Sequence, residues 1–100
     1  MAWAYILECA DGSFYVGSTT DLDRRISEHN DGLGAAYTRP ARRRPVVLRW
    51  AADFARIDEA FAFEKMVQGW SRKKRIALIE GRWNDLPALA SRAWAHRNAT

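Results

Sequence analysis

The sequence predicts an α+β fold, and three observations carry that prediction. Residues 3 to 9 and 13 to 19 are rich in aromatic and β-branched side chains and flank Ala10-Asp11-Gly12, the pattern of a β-hairpin. Val46-Val47-Leu48-Arg49-Trp50 reads as a third strand. Between and after these stretches, apolar residues return every three or four positions, the period of amphipathic helices.

Taken in order, the hairpin comes first, and its loop length has a chemical consequence. A three-residue connection, with Gly12 in the left-handed position, puts Tyr5 and Tyr15 on one face of the sheet together with Trp3 and Leu7. Glu8, Phe14 and Val16 then take the other face; a two-residue loop would split the tyrosines. Thr20-Asp21-Leu22-Asp23 has the form of a capping box, so a helix is expected to start at Thr20 or Asp21 and to end near Asp31-Gly32. Gly32, Gly34 and the run to Pro45 form a loop carrying Thr38-Arg39-Pro40 and an Arg triplet. A second helix begins at Ile57, with Ile57, Ala60, Phe63, Val67 and Trp70 at helical spacing and Gly69 weakening its end. Ser71 caps a third, which stops at Gly81. A short closing helix is expected from Asp85 through Trp94, within a C-terminal helical extension over 82–97.

One hundred residues support one core, so residues 1–100 are expected to form a single domain, with its motifs between 3 and 80. Hydrophobic residues make up 48% and charged residues 28%, ordinary for a globular protein, and no apolar run approaches the roughly 20 residues needed to cross a bilayer. No basic leader precedes the short apolar run at the N-terminus, which is read as part of the fold. Cys9 is the only cysteine and is expected to be a small buried strand residue, which suits a reducing, cytoplasmic location. Sixteen Lys and Arg against twelve Asp and Glu give a net charge of +4. The basic residues cluster at Arg39, Arg42, Arg43 and Arg44 and again at Arg72, Lys73, Lys74 and Arg75, a distribution that suits a polyanionic partner.

Several polar residues fall where the pattern calls for apolar ones. On the first helix, Leu22, Arg25, Ile26 and His29 lie in one arc while Arg24 faces away. Arg25 and His29 are therefore either a snorkelling Arg and a satisfied His at the core edge, or members of a site. Glu64 projects between Ile57 and Ala60, inside the apolar arc of the second helix. Such a carboxylate calls for a structural Lys or Arg partner or for a hard cation such as Mg²⁺, which takes oxygen ligands. Tyr5 and Tyr15 are packing residues or reagents; a phenol ionises near pH 10, and a neighbouring Arg or metal would lower that value. Gly17, inside a strand, indicates that another backbone or a ligand approaches closely.

Together these residues resemble the GIY-YIG nucleases, specifically the small single-domain branch related to the N-terminal domain of the excision-repair nuclease. Trp3-Ala4-Tyr5 stands at the first triplet and Tyr15-Val16-Gly17 at the second. Ser18-Thr19, Leu22, Arg24-Arg25, Glu28-His29-Asn30, Gly32 to Thr38 and the stretch Glu64 to Arg72 continue the match. In the first triplet, Trp3 and Ala4 replace the family's Gly and Ile. The resemblance implies a three-stranded antiparallel sheet flanked by helices and an endonuclease that hydrolyses DNA phosphodiester bonds at one site. It assigns Glu64 to a single divalent ion, Mg²⁺ or Mn²⁺, Arg25 to the scissile phosphate, and Tyr5 and Tyr15 to positioning or activating water with help from His29. Which tyrosine is the base stays open.

Arg39, Arg42, Arg43, Arg44 and Arg72, Lys73, Lys74, Arg75 are candidates for tracking a phosphate backbone, with Tyr37 or Trp70 stacking on an unpaired base. A domain this small has limited reach, so the expected partner is single-stranded or branched DNA recognised by shape. The alternative function is a nucleic-acid-binding module of the same fold with weak or no cleavage. A more distant one is a protein-interaction domain built on the tryptophans, Trp83 and Trp94 included.

Overall fold

The computed structural model describes residues 1–82, and the closing helix expected after Asp85 lies outside them. The fold is α+β: a three-stranded antiparallel sheet with three α-helices. The chain divides into two compact units, residues 1–69 and the stretch from Trp70 onward.

In the first unit, β1 (Ala2–Glu8) and β2 (Phe14–Thr19) pair antiparallel, and β3 (Val47–Phe54) pairs with the other side of β1, giving the order β2-β1-β3. The hairpin turn is the three-residue kind. Gly12 has φ 85°, its N–H donates to the Cys9 carbonyl at 2.9 Å, and the Cys9 N–H donates to Ser13 O at 2.8 Å. Tyr5 therefore pairs with Gly17 and Leu7 with Tyr15, so both tyrosines stand on one face.

The cap of α1 (Leu22–Asn30) is Asp21, whose carboxylate accepts the Arg24 N–H at 3.2 Å. Leu22 and Ile26 of this helix pack on Tyr5, Leu7, Cys9 and Val46, with Tyr15 and Ala51 beside them. Cys9 is buried just beyond β1, and burial pushes its thiol pKa up. The opposite sheet face receives α2 (Ile57–Gln68), whose Phe63 ring lies 5.7 Å from Trp50 and 5.5 Å from Phe54 between centroids.

The loop between Gly32 and Pro45 is built from two 3₁₀ turns, Ala36–Thr38 and Ala41–Arg43. Arg43 ties it to the hairpin, donating to Asp11 Oδ2 at 3.1 Å and to the Tyr37 carbonyl at 2.9 Å. The third strand runs four residues past the expected Trp50, because Ala2 to Tyr5 of β1 offer partners for Ala51 to Phe54. In the second unit, α3 (Arg72–Ile79) is capped by Ser71, whose hydroxyl accepts the Lys74 N–H, and Gly81 with φ 73° follows its end. Among the described residues, no helix is long and apolar enough to cross a membrane.

Candidate active site

Gly17 explains how the tyrosine face is built. A Cβ there would come within 2.5 Å of Tyr5 Oη, 2.6 Å of Tyr5 Cζ and 3.0 Å of Tyr15 Cε2. What approaches this glycine is the Tyr5 phenol lying across the strand, a side chain where another backbone or a ligand was expected. Tyr5 is almost fully buried, and its hydroxyl reaches His29 Nε2 at 3.0 Å. His29 is wholly buried, and its other nitrogen, Nδ1, stands 2.7 Å from Thr38 Oγ1. The Tyr15 ring is half-buried, 5.0 Å from the His29 ring and 6.4 Å from that of Tyr5.

Arg25 comes to the same place one helical turn before His29. Its guanidinium approaches both phenols, and Glu28 holds it at Nη1 with a 3.1 Å ion pair. Arg24, on the exposed side, reaches the other Glu28 oxygen at 3.5 Å, so Glu28 braces both arginines. A cavity of about 370 Å³ opens here, lined by Ser18, Thr19, Arg24, Arg25, Glu28 and Ile57 among others.

Glu64 stands across the edge strand. Because β2 is the outermost strand and its side chains alternate, Tyr15 and Gly17 face α1 whereas Ser18 faces α2. The Ser18 hydroxyl donates to Glu64 Oε1 at 2.6 Å, and the Gln68 amide donates to Oε2 at 2.7 Å and to the Val16 carbonyl at 3.2 Å. The Lys65 ammonium, more than half exposed, lies 3.6 Å from Oε2. Glu64 is thus buried and held mainly by neutral donors rather than by a close Lys or Arg.

Electrostatics set the protonation of the cluster. Burial, then the neighbouring Tyr15, push the Tyr5 phenol up to about 12 although Arg25 pulls the other way. Tyr15 is raised by burial and by Glu64, with Arg25 opposing. The expected lowering by Arg25 is present but is outweighed by loss of water. Burial and the Arg25 charge hold His29 down to about 4, with Glu28 opposing. Both phenols and the imidazole are therefore neutral near pH 7.

The structure brings Tyr5, Tyr15, Arg25 and His29 together, with Glu64 close enough for its charge to act on both phenols. The basic residues differ from one another. Arg39 and Arg42 are exposed, whereas Arg43 covers one face of the Tyr37 ring at 3.9 Å and Arg44 binds the carbonyls of Arg39 and Asn30 at 3.2 and 3.3 Å. The Tyr37 ring also lies 6.1 Å from that of Tyr15 between centroids, at an interplanar angle of 27°, so it packs beside the site while staying partly exposed. Arg72, Lys73, Lys74 and Arg75 belong to α3 of the second unit. Thr38, Ser18 and Gln68 are the residues that sequence reasoning missed as members of the cluster. All three lie within stretches that continue the family resemblance, but nothing in the sequence joined them to the cluster.

The hairpin thus presents two phenols to a helix-borne arginine and histidine, with a carboxylate held at β2. The chain belongs to the GIY-YIG family: the model of the GIY-YIG catalytic domain matches residues 1–77, and endonuclease-type function is what that family implies. Among curated relatives, it is 49% identical over 76 residues to a UPF0213 protein of Bacillus pumilus, covering 76% of each chain. With a UPF0213 protein of Halobacterium salinarum it shares 45% identity over 79 residues, 79% of this chain and 100% of that one. The solution NMR structure of a UPF0213 protein from Bacillus halodurans superposes with a TM-score of 0.51 at 40% identity, covering 91% of this chain and 93% of that chain. An Enterococcus faecalis NMR structure gives a TM-score of 0.54 at 39% identity, covering 85% and 88%.

Proposed function

We propose that this chain is a divalent-metal-dependent endonuclease that hydrolyses DNA phosphodiester bonds through one site. The observation that carries the reading is the joining of Tyr5 to His29 at 3.0 Å beside the Arg25 guanidinium, on a face that local pattern alone would fill with apolar residues.

Arg25 binds the scissile phosphate and offsets charge gathering on its oxygens during attack; removing one such donor commonly costs about 10²- to 10³-fold in rate. Glu28 holds the guanidinium by one edge and so fixes its orientation. A neutral phenol is a weak base, and Tyr5 needs somewhere to send its own proton. As water attacks phosphorus, one water proton passes to Tyr5 Oη while the phenol proton passes to His29 Nε2, and the bond from phosphorus to the departing oxygen breaks. Tyr5 is favoured over Tyr15 as the base because His29 Nε2 is at its hydroxyl. Tyr15 positions the water and packs the ring of His29.

Glu64 would hold the metal. Each Glu64 oxygen accepts one hydrogen bond, from the Ser18 hydroxyl at Oε1 and the Gln68 amide at Oε2, with the Lys65 ammonium 3.6 Å from Oε2. A carboxylate with lone pairs to spare suits a hard ion that keeps water and phosphate as its other ligands. When bound, Mg²⁺ or Mn²⁺ supplies Lewis-acid stabilisation of phosphate charge. Exposed Arg39 and Arg42 support a nucleic-acid partner, with single-stranded or branched DNA preferred.

The test is incubation of the purified chain with labelled single-stranded, duplex and branched DNA in Mg²⁺, Mn²⁺ or EDTA, beside Glu64→Ala and Arg25→Ala. Cleavage should require the metal and fall by about 10²-fold or more in each variant. Cutting in EDTA, or full activity in both variants, would overturn the mechanism. Binding to every substrate without cutting would leave the chain a nucleic-acid-binding module of the same fold.

A further inference from the structure

His29 is wholly buried, and each of its ring nitrogens has one polar partner: Thr38 Oγ1 at Nδ1 and Tyr5 Oη at Nε2. A neutral imidazole carries a single N–H, so the nitrogen that holds it decides the direction of both hydrogen bonds. That choice is made outside the ring. Thr38 Oγ1 lies 3.1 Å from the Ala35 carbonyl oxygen, which has no hydrogen to give. Only the Thr38 hydroxyl can supply the proton between these two oxygens. Turned toward His29 instead, it would set two lone-pair oxygens against each other at 3.1 Å in a part-buried contact and leave the Ala35 carbonyl only the Thr38 N–H at 3.0 Å, which is unfavourable. With its proton committed to Ala35, Thr38 Oγ1 can only accept from His29. Nδ1 therefore carries the hydrogen, Nε2 is bare, and the Tyr5 hydroxyl donates to it.

We propose that Thr38 is a positioning residue that holds His29 in the Nδ1–H tautomer, aiming the Tyr5 proton into the protein and keeping the Tyr5 Oη lone pairs out of the hydrogen bond to His29. Thr38 closes the Gly32 to Thr38 stretch of the family resemblance, and it is buried because the 3₁₀ turn at Ala36–Thr38 folds it inward. Gly34 permits that approach, since a Cβ there would come within 2.9 Å of His29 Cγ and 3.0 Å of His29 Cα. The catalytic consequence rests on the hydrolase reading above, whereas the tautomer can be read without any substrate.

Two variants and two readouts test it. Thr38→Val keeps the branched shape and removes the hydroxyl; Thr38→Ser keeps the hydroxyl. Long-range ¹H–¹⁵N correlation NMR of the uniformly labelled chain at pH 7 identifies which His29 nitrogen is protonated. The wild type and Thr38→Ser should hold the proton on Nδ1, and Thr38→Val should shift it toward Nε2. Cleavage should fall about tenfold or more in Thr38→Val, by analogy with the loss on removing the partner that orients a metal-ligating histidine, and largely recover in Thr38→Ser. An Nε2–H tautomer in the wild type, an unchanged Nδ1–H tautomer in Thr38→Val, or wild-type cleavage by a folded Thr38→Val with the shifted tautomer would each overturn the proposal. Should the wild type cut no substrate, the hydrolase reading fails while the spectra still decide whether Thr38 sets the tautomer. Should Thr38→Val not fold, the wild-type and Thr38→Ser tautomers decide it.

Discussion

His29 is a base that the fold keeps neutral, at a cost that pH can reveal. Its folded pKa is lowered from 6.5 to about 4, first by burial and then by the Arg25 charge, with Glu28 opposing. The unfolded chain therefore binds a proton at this residue near pH 6.5, while the folded chain does not until about pH 4. Stability contributed by the neutral histidine is fully present above 6.5 and falls as pH drops through that window. Between pH 6.5 and 5, at about 1.36 kcal/mol per unit, the loss is about 2 kcal/mol. Chemical denaturation at pH 7 and pH 5 should show the wild type losing that much more than His29→Gln; equal losses would contradict a buried neutral imidazole. Residues of this kind were legible because helical periodicity put Arg25, His29 and Glu64 on apolar arcs, where each calls for a partner. Which side chains would partner them was not. Thr38, Ser18 and Gln68 are small or flexible polar residues of ordinary surface type, and they become functional only when folding brings Thr38 to His29 and joins Glu64 to β2.

At the scale of elements, the register between β1 and β2 decides whether the tyrosines serve one phosphate. It was readable because Gly12 follows Ala10-Asp11 and selects the three-residue turn. The length of β3 was not readable: Ala51, Ala52 and Asp53 have poor strand propensity, and pairing with β1 overrides it. The same pairing makes Gly17 a sensitive point. A methyl group there meets the end of the Tyr5 ring, which is buried and already fixed by His29, so relief requires moving the phenol or opening the strands. Gly17→Ala should cost about 1–3 kcal/mol of stability, the usual penalty of overpacking. It should also lower cleavage in the fraction that stays folded, as Tyr5 is pushed off Nε2. Denaturant midpoints and single-turnover rates measure the two effects; a variant of wild-type stability and rate would show that the Tyr5 ring has room the geometry denies.

For the molecule as a whole, the excess of four positive charges matters less than where cations remain available. The run from Arg39 to Arg44 reads in sequence as one basic segment, yet half of it is structural. Arg43 braces Asp11 and Tyr37, and Arg44 braces two carbonyls, which leaves Arg39 and Arg42 as the exposed pair of this loop. The division arises because a guanidinium offers five donors and can serve backbone oxygens as readily as phosphates, so composition alone cannot separate the uses. Charge reversal should separate them. Arg39→Glu with Arg42→Glu should leave the fold and the single-turnover rate at saturating DNA nearly unchanged. If both residues contact phosphates, the slope of log K against log salt should fall by about 1.4 for single strands, from two contacts at about 0.7 each. Arg43→Ala should instead lower the unfolding midpoint, because it releases the loop from the hairpin. Fluorescence anisotropy across a salt series, read beside thermal denaturation, distinguishes the two classes. An unchanged slope in the double variant would remove this loop from the proposed DNA path and leave Arg25, the cavity beside it and the basic run of α3 as the candidate phosphate contacts.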